Sequence, residues 1–266
     1  MMGNLRSLGL SGAPNARDLG GLVTSDGRTV RPGLVFRAPA LGRLTDEDVS
    51  SLDRLGLTDL LDLRHGSEID TAPPDRLPAG PAVAHIPIFD PAHPVFTYVS
   101  AVLLGQELDR YADLVVEGTP GAMLAIYRWF VEAPAARTAF GTALRRIAAA
   151  SGPLLYHCSA GKDRTGWLTA VLLGALGADR ATIVDDYVLT NEVAGPAMAH
   201  TMELLNARRG VPRELLWPVL AAEPAYLDEA FGAVEERYGG LDGYLRDGLG
   251  LDDDELAALR RRLLTT

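Results

Sequence analysis

Three short runs of this chain are rich in apolar residues with little alternation: Thr58–Leu63, Val83–Ile88 and Leu154–Tyr156. Strands buried on both faces of a parallel sheet read this way, whereas half-solvated strands alternate. A further strand is expected over Leu34–Arg37, after a hairpin over Leu22–Val30 turned at Asp26-Gly27. Elsewhere the apolar spacing is helical. Thr45-Asp-Glu-Asp48 offers an N-cap and first-turn carboxylates for a helix ending near Gly56. Helices are predicted over Gly121–Val131, over Pro134–Ala150 with Pro134 in its first turn, and over Gly166–Leu176. Asp179 caps another through Leu189, closed by Asn191-Glu192. Pro224–Tyr238, Leu241–Asp247 and a last helix capped by Asp252 follow. Thr71–Pro81, with several prolines, reads as a loop, and residues 92–117 are ambiguous with a helix expected around Gln106–Val116. Residues 193–223 give two amphipathic pieces broken by Arg209-Gly-Val-Pro212, a hinge that suits a cover over a site.

Strands alternating with helices predict an α/β fold with a mostly parallel sheet. Ligands in such sheets sit beyond the carboxyl ends of strands. Two stretches occupy that position: the loop after Tyr156, and Phe89-Asp90-Pro91. No internal repeat or low-complexity linker divides the 266 residues, so a single domain over 1–266 is expected.

Composition changes the picture mainly by exclusion. A net charge of −10 and the lack of a basic stripe argue against a nucleic-acid partner. The single cysteine rules out an internal disulfide framework. Five histidines (His65, His85, His93, His157, His200) lie scattered without ligand spacing, which argues against structural zinc, and no cofactor is expected. No signal peptide and no bilayer-spanning run are read, which makes the cytoplasm the expected location, with export lacking a signal peptide as the alternative.

The chemistry concentrates in residues 153–166, Pro-Leu-Leu-Tyr-His-Cys-Ser-Ala-Gly-Lys-Asp-Arg-Thr-Gly. A strand, a tight loop and a helix start place backbone N–H groups around one point at the positive end of a helix dipole. Ser159, Ala160, Gly161, Lys162, Asp163 and Arg164 would form this phosphate cradle, with Arg164 clamping two oxygens. A thiol of ordinary pKa roughly 8.5 can fall to about 3.5–7.5 in such a field, making Cys158 a nucleophilic thiolate. Thr165 could steady it as a leaving group, and His157 could fix the loop from behind. A lone cysteine is most often a small buried hydrophobe, but His, Cys, Gly, Arg and Thr at these offsets reverse that reading. A Walker phosphate loop is rejected, because its required positions hold Tyr156 and Asp163. Lys162, the sole lysine of the chain, reads as an added cation for substrate phosphate. Two carboxylic acids compete as the proton donor: Asp90 from a separate loop and Asp163 from within the cradle. Asp62, Arg64 and Glu68 read as a structural ion-pair cluster rather than as substrate ligands.

Cys-x5-Arg followed by Thr resembles the signature of cysteine-dependent phosphatases. With Asn15-x-Arg17-Asp18, Arg31-Pro-Gly-Leu34 before Phe36-Arg37, Asp62-Leu-Arg64, Ala181-Thr-Ile-Val-x-Asp-Tyr187 with Asn191, and Tyr238-Gly-x-Leu-x-Gly-Tyr-Leu-Arg-Asp247, nearly the whole chain resembles the atypical bacterial protein tyrosine phosphatases of the mycobacterial phosphatase B type. Only the segment 91–120 departs from the family pattern. The resemblance implies metal-independent hydrolysis of phosphotyrosine, and also of phosphoserine or phosphothreonine, through a phosphocysteine. It implies a helical lid, for which residues 193–223 are the candidate, and leaves phosphoinositide hydrolysis as the alternative because Lys162 matches enzymes that handle those lipids. Implied partners are a phosphorylated protein or phosphoinositide, with phosphate or another oxyanion in the loop. A catalytically inactive phospho-binding module and a rhodanese-like sulfurtransferase are the competing classes. The intact Cys158, Arg164 and Thr165 argue against the first, and Arg-Thr after the loop with His before it against the second.

Overall fold

A computed structural model of the chain describes residues 6–106 and 118–266. Five strands form one sheet in the order β1 (Arg17–Asp18), β2 (Val35–Ala38), β5 (Leu154–His157), β3 (Asp59–Asp62), β4 (Ala82–His85). Only the β1–β2 pair is antiparallel. The mostly parallel sheet follows from the apolar runs: Leu154, Leu155, Tyr156 and His157 are all buried, with neighbours on both sides.

Strand periodicity then sorts the side chains onto two faces. Val35, Leu61, Leu154 and Tyr156 join the larger core, while Phe36, Leu60 and Leu155 join a smaller one. The smaller layer contains α1 (Asp46–Asp53), whose start is fixed by a reciprocal capping box between Thr45 and Asp48. Short α2 (Gly66–Thr71) follows β3, and α3 (Pro94–Leu104) follows β4. The larger layer is built mainly from α4 (Gly118–Glu132), α5 (Pro134–Ala149), α6 (Asp163–Leu176), α7 (Arg180–Val193), α10 (Pro224–Tyr238) and α12 (Asp253–Leu263). Between α7 and α10 lie α8 (Gly195–Arg209) and α9 (Arg213–Leu220), and α11 (Leu241–Gly243) precedes a π-helical turn over Tyr244–Gly248.

Several expectations need correction. The helix after the 153–166 loop begins at Asp163 rather than Gly166, so Arg164 and Thr165 sit in its first turn. The expected hairpin over Leu22–Val30 is a tight turn at Gly27 (φ 84°) with a single bridge, Val23 to Thr29. The short helix expected over Leu241–Asp247 is split by the π turn. Strand β4 is the sheet's edge strand and is not buried on both faces as its apolar run suggested, since Ala82, Val83 and His85 are exposed. It stops at His85, although Ile86 and Ile88 still donate to the carbonyls of Asp62 and Leu63. Helix α3 fills part of the ambiguous stretch, while the helix expected around Gln106–Val116 lies, beyond Gln106, outside the described residues. Among the described residues no helix is long and apolar enough to cross a membrane.

Parallel register aligns Ala38, Asp62 and His157 across the sheet. The chain therefore leaves β2, β3 and β5 at one edge, and the loops starting at Pro39, Leu63 and Cys158 meet there.

Candidate active site

The loop from Cys158 to Lys162 turns sharply because Gly161 adopts φ 65°, a conformation costly for any residue with a Cβ. Space imposes the same choice: a Cβ on Gly161 would lie 2.6 Å from the Pro39 nitrogen and 2.7 Å from the Ala38 carbonyl oxygen. The Gly161 carbonyl is pulled outward by two donors, Asn15 Nδ2 at 3.1 Å and Arg37 Nη2 at 2.8 Å. The first N–H groups of α6 have no acceptor within their own helix, so they are donors that this end of the loop can offer an anion.

Cys158 is buried and lines a cavity of about 360 Å3 together with Ser159, Ala160, Asp163 and Arg164. The walls are apolar: Phe89 above Arg164, then Phe96, Val99 and Leu103 from α3, Met123, Ile126 and Phe130 from α4, and Val219 and Leu220 from α9. Such a slot is suited to a flat ring carrying a phosphoryl group at its inner end.

Arg164 is held by Glu68, Nη1 to Oε2 at 2.6 Å and Nη2 to Oε1 at 2.7 Å. Glu68 also accepts from Ser159 Oγ at 2.5 Å. Burial works against the charge of Arg164, but the Glu68 bonds and neighbouring acidic groups hold its pKa above the ordinary arginine value. Burial likewise opposes ionisation of Glu68, and the Arg164 bonds overcome it, bringing its pKa down to about 2. The expected ion-pair cluster of Asp62, Arg64 and Glu68 is thus divided. Asp62 takes Arg64 Nε and Nη2 at 2.9 and 2.7 Å, Asp75 shares Nη2, and Glu68 serves Arg164 instead.

Asp163 Oδ1 accepts from Tyr127 Oη at 3.0 Å, and Tyr127 Oη meets Tyr187 Oη at 2.6 Å. Burial first, and the Asp163 charge second, push both phenols well above their ordinary pKa, so they remain proton donors. Tyr187 approaches because Gly166 has no side chain; a Cβ there would lie 2.9 Å from its ring. Asp90 is placed differently. Its carboxylate accepts from the Ala92 N–H at 2.9 Å, and it does not line the cavity that holds Cys158.

Lys162 is 2% exposed and directs Nζ to the carbonyls of Val219 (2.6 Å) and Ala221 (3.0 Å), with Asp163 Oδ1 at 3.3 Å. Its charge is therefore spent at the C-terminal end of α9. Thr165 is fully buried, and its hydroxyl has no hydrogen-bond partner among the described residues. His157 lies behind the loop, Nδ1 at 3.3 Å from the Cys158 carbonyl and Nε2 at 3.6 Å from Asp75. Burial pulls its pKa below the usual histidine value despite Asp62 and Asp75, which keeps the ring neutral. Asp62, Asp75 and His157 come close enough to share a cation. Arg64 already occupies both carboxylates, so this donor set is a poor fit for a metal.

Sequence spacing marks Cys158 and Arg164, and the family pattern includes Asp186-Tyr187, but Tyr127 and the actual partners of Glu68, Tyr187 and Asp186 were not legible, because those partners are distant in sequence. The one local signal was polarity where burial is expected. Arg37 stands inside a strand with all four residues buried, and Asp186-Tyr187 stands on the inner face of α7.

Residues 8–265 match the tyrosine phosphatase family. The triple specificity protein phosphatase PtpB of Mycobacterium tuberculosis is 33% identical over 96% of this chain and 98% of its own length. A protein of Cupriavidus necator provisionally named a tyrosine-protein phosphatase is 31% identical over 91% of this chain and 84% of its own. A tyrosine-protein phosphatase of Nostoc commune is 28% identical over 94% and 85%. With a cysteine and an arginine set across a helix-capped loop in the geometry described, this chain belongs to the tyrosine phosphatase family.

Proposed function

We propose that this phosphatase hydrolyses phosphotyrosine in proteins through a phosphocysteine on Cys158, with Asp163 as the proton donor. The observation that carries the reading is the shared cavity: Cys158, Asp163 and Arg164 line one slot with aromatic and aliphatic walls. Uncatalysed phosphate monoester hydrolysis is among the slowest reactions known, so the charge developing on the equatorial oxygens must be met by fixed donors. Glu68 engages one N–H of each terminal nitrogen of Arg164, and the Leu63 carbonyl lies 3.5 Å from Nη1. The Nε–Nη2 edge of the guanidinium remains for two phosphate oxygens.

In the first step a bond forms from Cys158 Sγ to phosphorus as the bond to the leaving oxygen breaks. Asp163 passes its proton to that oxygen, which for tyrosine has a pKa of about 10 and leaves poorly as an anion. In the second step the Asp163 carboxylate takes a proton from water, the new P–O bond forms, and the thiolate departs. The unpartnered hydroxyl of Thr165 is available to receive the negative sulfur. Helices α8 and α9 serve as the lid. The lipid reading loses its support because Lys162 spends its charge on α9 carbonyls.

Initial rates on a phosphotyrosine peptide in the presence of chelator test this. Wild type is expected to turn over, Cys158→Ser to be inactive, and Asp163→Asn to lose on the order of 10²- to 10⁴-fold in kcat. Asp90→Asn should stay near wild type. A reversed ranking of the two aspartate variants would give the acid role to Asp90, and full activity of Cys158→Ser would sink the covalent mechanism.

A further inference from the structure

The catalytic loop stands where β2, β3 and β5 end, and a second feature stands near where β2 and β5 begin. A cavity of about 760 Å3 lies between the turn at Gly27 and the last turn of α12. The two segments are pinned together: Val30 bridges Leu264, the Arg31 N–H donates to the Leu263 carbonyl at 2.7 Å, and the Thr265 N–H donates to the Thr29 carbonyl at 2.9 Å. Arg262 ties the same end of α12 to the Ala150 and Gly152 carbonyls, just before β5. Arg28, Arg31, Arg260 and Arg261 line the cavity, and no aspartate or glutamate does. Arg28 is paired with Asp26, and Arg260 Nε donates to the Ala175 carbonyl at 2.9 Å. The side chains of Arg31 and Arg261 make no hydrogen bond or ion pair among the described residues, so both are free to turn into the cavity they border. Basic residues in the last turn of a helix ordinarily answer its dipole, and Arg260, Arg261 and Arg262 fit that account. It does not cover Arg28 and Arg31, which reach the same cavity from another segment, nor the lack of a lining carboxylate in a chain of net charge −10. Guanidiniums gathered in this way repel one another until an anion joins them.

We propose that this cavity is a binding site, separate from the catalytic one, for a ligand carrying adjacent phosphate groups bridged between Arg31 and Arg261. A guanidinium fork takes two oxygens of one phosphate, and two unpaired forks on different elements call for two phosphates. Arg28 and Arg260 add to the field without giving up their present partners. No aromatic side chain lines the cavity to stack a nucleobase, and its apolar wall is limited to Ala257 and Leu264. The phosphates alone are therefore recognised, whether they come as an inorganic oligophosphate or at the end of a nucleotide.

The test measures binding of inorganic tripolyphosphate, a nucleoside triphosphate and inorganic phosphate to the whole chain by calorimetry, with amide hydrogen exchange to locate each ligand. Wild type, Arg31→Ala and Arg261→Ala are compared. Neither side chain belongs to the catalytic machinery, so turnover of a phosphotyrosine peptide should be unchanged in both and reports that they fold. Tripolyphosphate is expected to slow exchange in residues 28–31 and 257–266, and each substitution to weaken that binding about tenfold, the scale of one charge-assisted hydrogen bond. The nucleoside triphosphate should bind as tightly as tripolyphosphate, and inorganic phosphate about tenfold more weakly. Protection confined to residues 158–166, or an affinity that neither substitution lowers, would overturn the site and leave the hydrolytic reading untouched. Equal binding of inorganic phosphate in residues 28–31 and 257–266 would overturn the assignment to adjacent phosphates. A nucleotide held much more tightly than tripolyphosphate would overturn recognition through the phosphates alone.

Discussion

At the scale of single residues, Glu68 and Tyr127 hold Arg164 and Asp163, the two groups to which the proposed mechanism gives phosphate binding and proton donation. Glu68 fixes the plane of Arg164 and leaves its Nε–Nη2 edge open. Glu68→Gln keeps the shape but loses the charge, and is expected to lower kcat/KM about tenfold by freeing that plane. The same pair stabilises the fold in a defined pH window. With its pKa depressed from 4.5 to about 2, Glu68 contributes fully above pH 4.5, and its contribution is lost as pH falls toward 2. That contribution is about 3 kcal/mol at most, and an acid titration of unfolding should show it missing in Glu68→Gln. Tyr127→Phe removes the donor that orients Asp163. If Tyr127 works by positioning the acid, the loss must depend on how much proton the leaving group needs. About tenfold is expected on phenyl phosphate and little on a nitrophenyl ester; equal losses on both would mark a merely structural role. Cys158 and Arg164 were legible because a loop of fixed length sets their distance. Glu68 was not, because it stands 96 residues from Arg164 and only the alignment of β3 with β5 brings them together.

At the scale of elements, what was readable was what local chemistry decides. Asp179 and Asp252 accept from the N–H groups of Thr182 and Glu255, and Pro134 and Pro224 occupy first turns, so these helix starts match expectation. The starts of α2 and α3 are capped by His65 and His93, which propensity does not favour, and both helices escaped the reading. In α3 the apolar run Val95–Leu104 also blurs any periodic signal. Helices α8 and α9 were expected as an amphipathic pair broken at 209–212; the break falls there, but only α9 buries a face, with Leu216 and Val219. No residue of α8 is buried, so its attachment depends on a few bonds. Asn191 pairs with both backbone groups of Ala222 at 2.9 and 2.7 Å, Arg209 reaches the Leu103 carbonyl at 3.1 Å, and Lys162 caps α9. A cation at the negative end of a helix, inside the protein, is a strong latch. Lys162→Met should raise amide hydrogen exchange across residues 195–220 by about ten- to a hundredfold, with α6 unchanged. Unaltered exchange in that segment would mean these two helices are held by their side-chain packing instead.

At the scale of the whole molecule, one buried carboxylate joins parts of the chain that no sequence pattern connects. Asp186 on α7 receives Arg6 at 2.8 Å, Arg17 at 3.1 Å and Arg37 at 2.8 Å. Arg17 lies on the edge strand β1, Arg37 on β2, and the same Arg37 holds the Gly161 carbonyl. The site loop is thereby coupled to the N-terminal strand and to a helix on the far side of the cradle. Burial opposes the Asp186 charge, but Arg17, Arg37 and Arg6 together hold its pKa below the usual carboxylate range. Three arginines around one acid leave an excess of positive charge, and Arg17 accordingly sits down at about 10, lowered by burial first and Arg37 next. Removing the acid would strand all three cations. Asp186→Asn is expected to cost about 3–5 kcal/mol at pH 7, the cost of breaking a buried ion pair. A depressed acid contributes above its unfolded pKa and loses that contribution as pH falls through its folded value. The gap between variant and wild type should therefore stay constant down to about pH 4 and narrow only below it. Denaturant unfolding at pH 7, 5 and 3 measures this. A gap that closes between pH 7 and 5 would place the electrostatic anchor on a group other than Asp186. A variant as stable as wild type at pH 7 would show that the arginines are satisfied by backbone acceptors such as the Asn15 and Gly161 carbonyls. The loop geometry would then rest on glycine sterics alone.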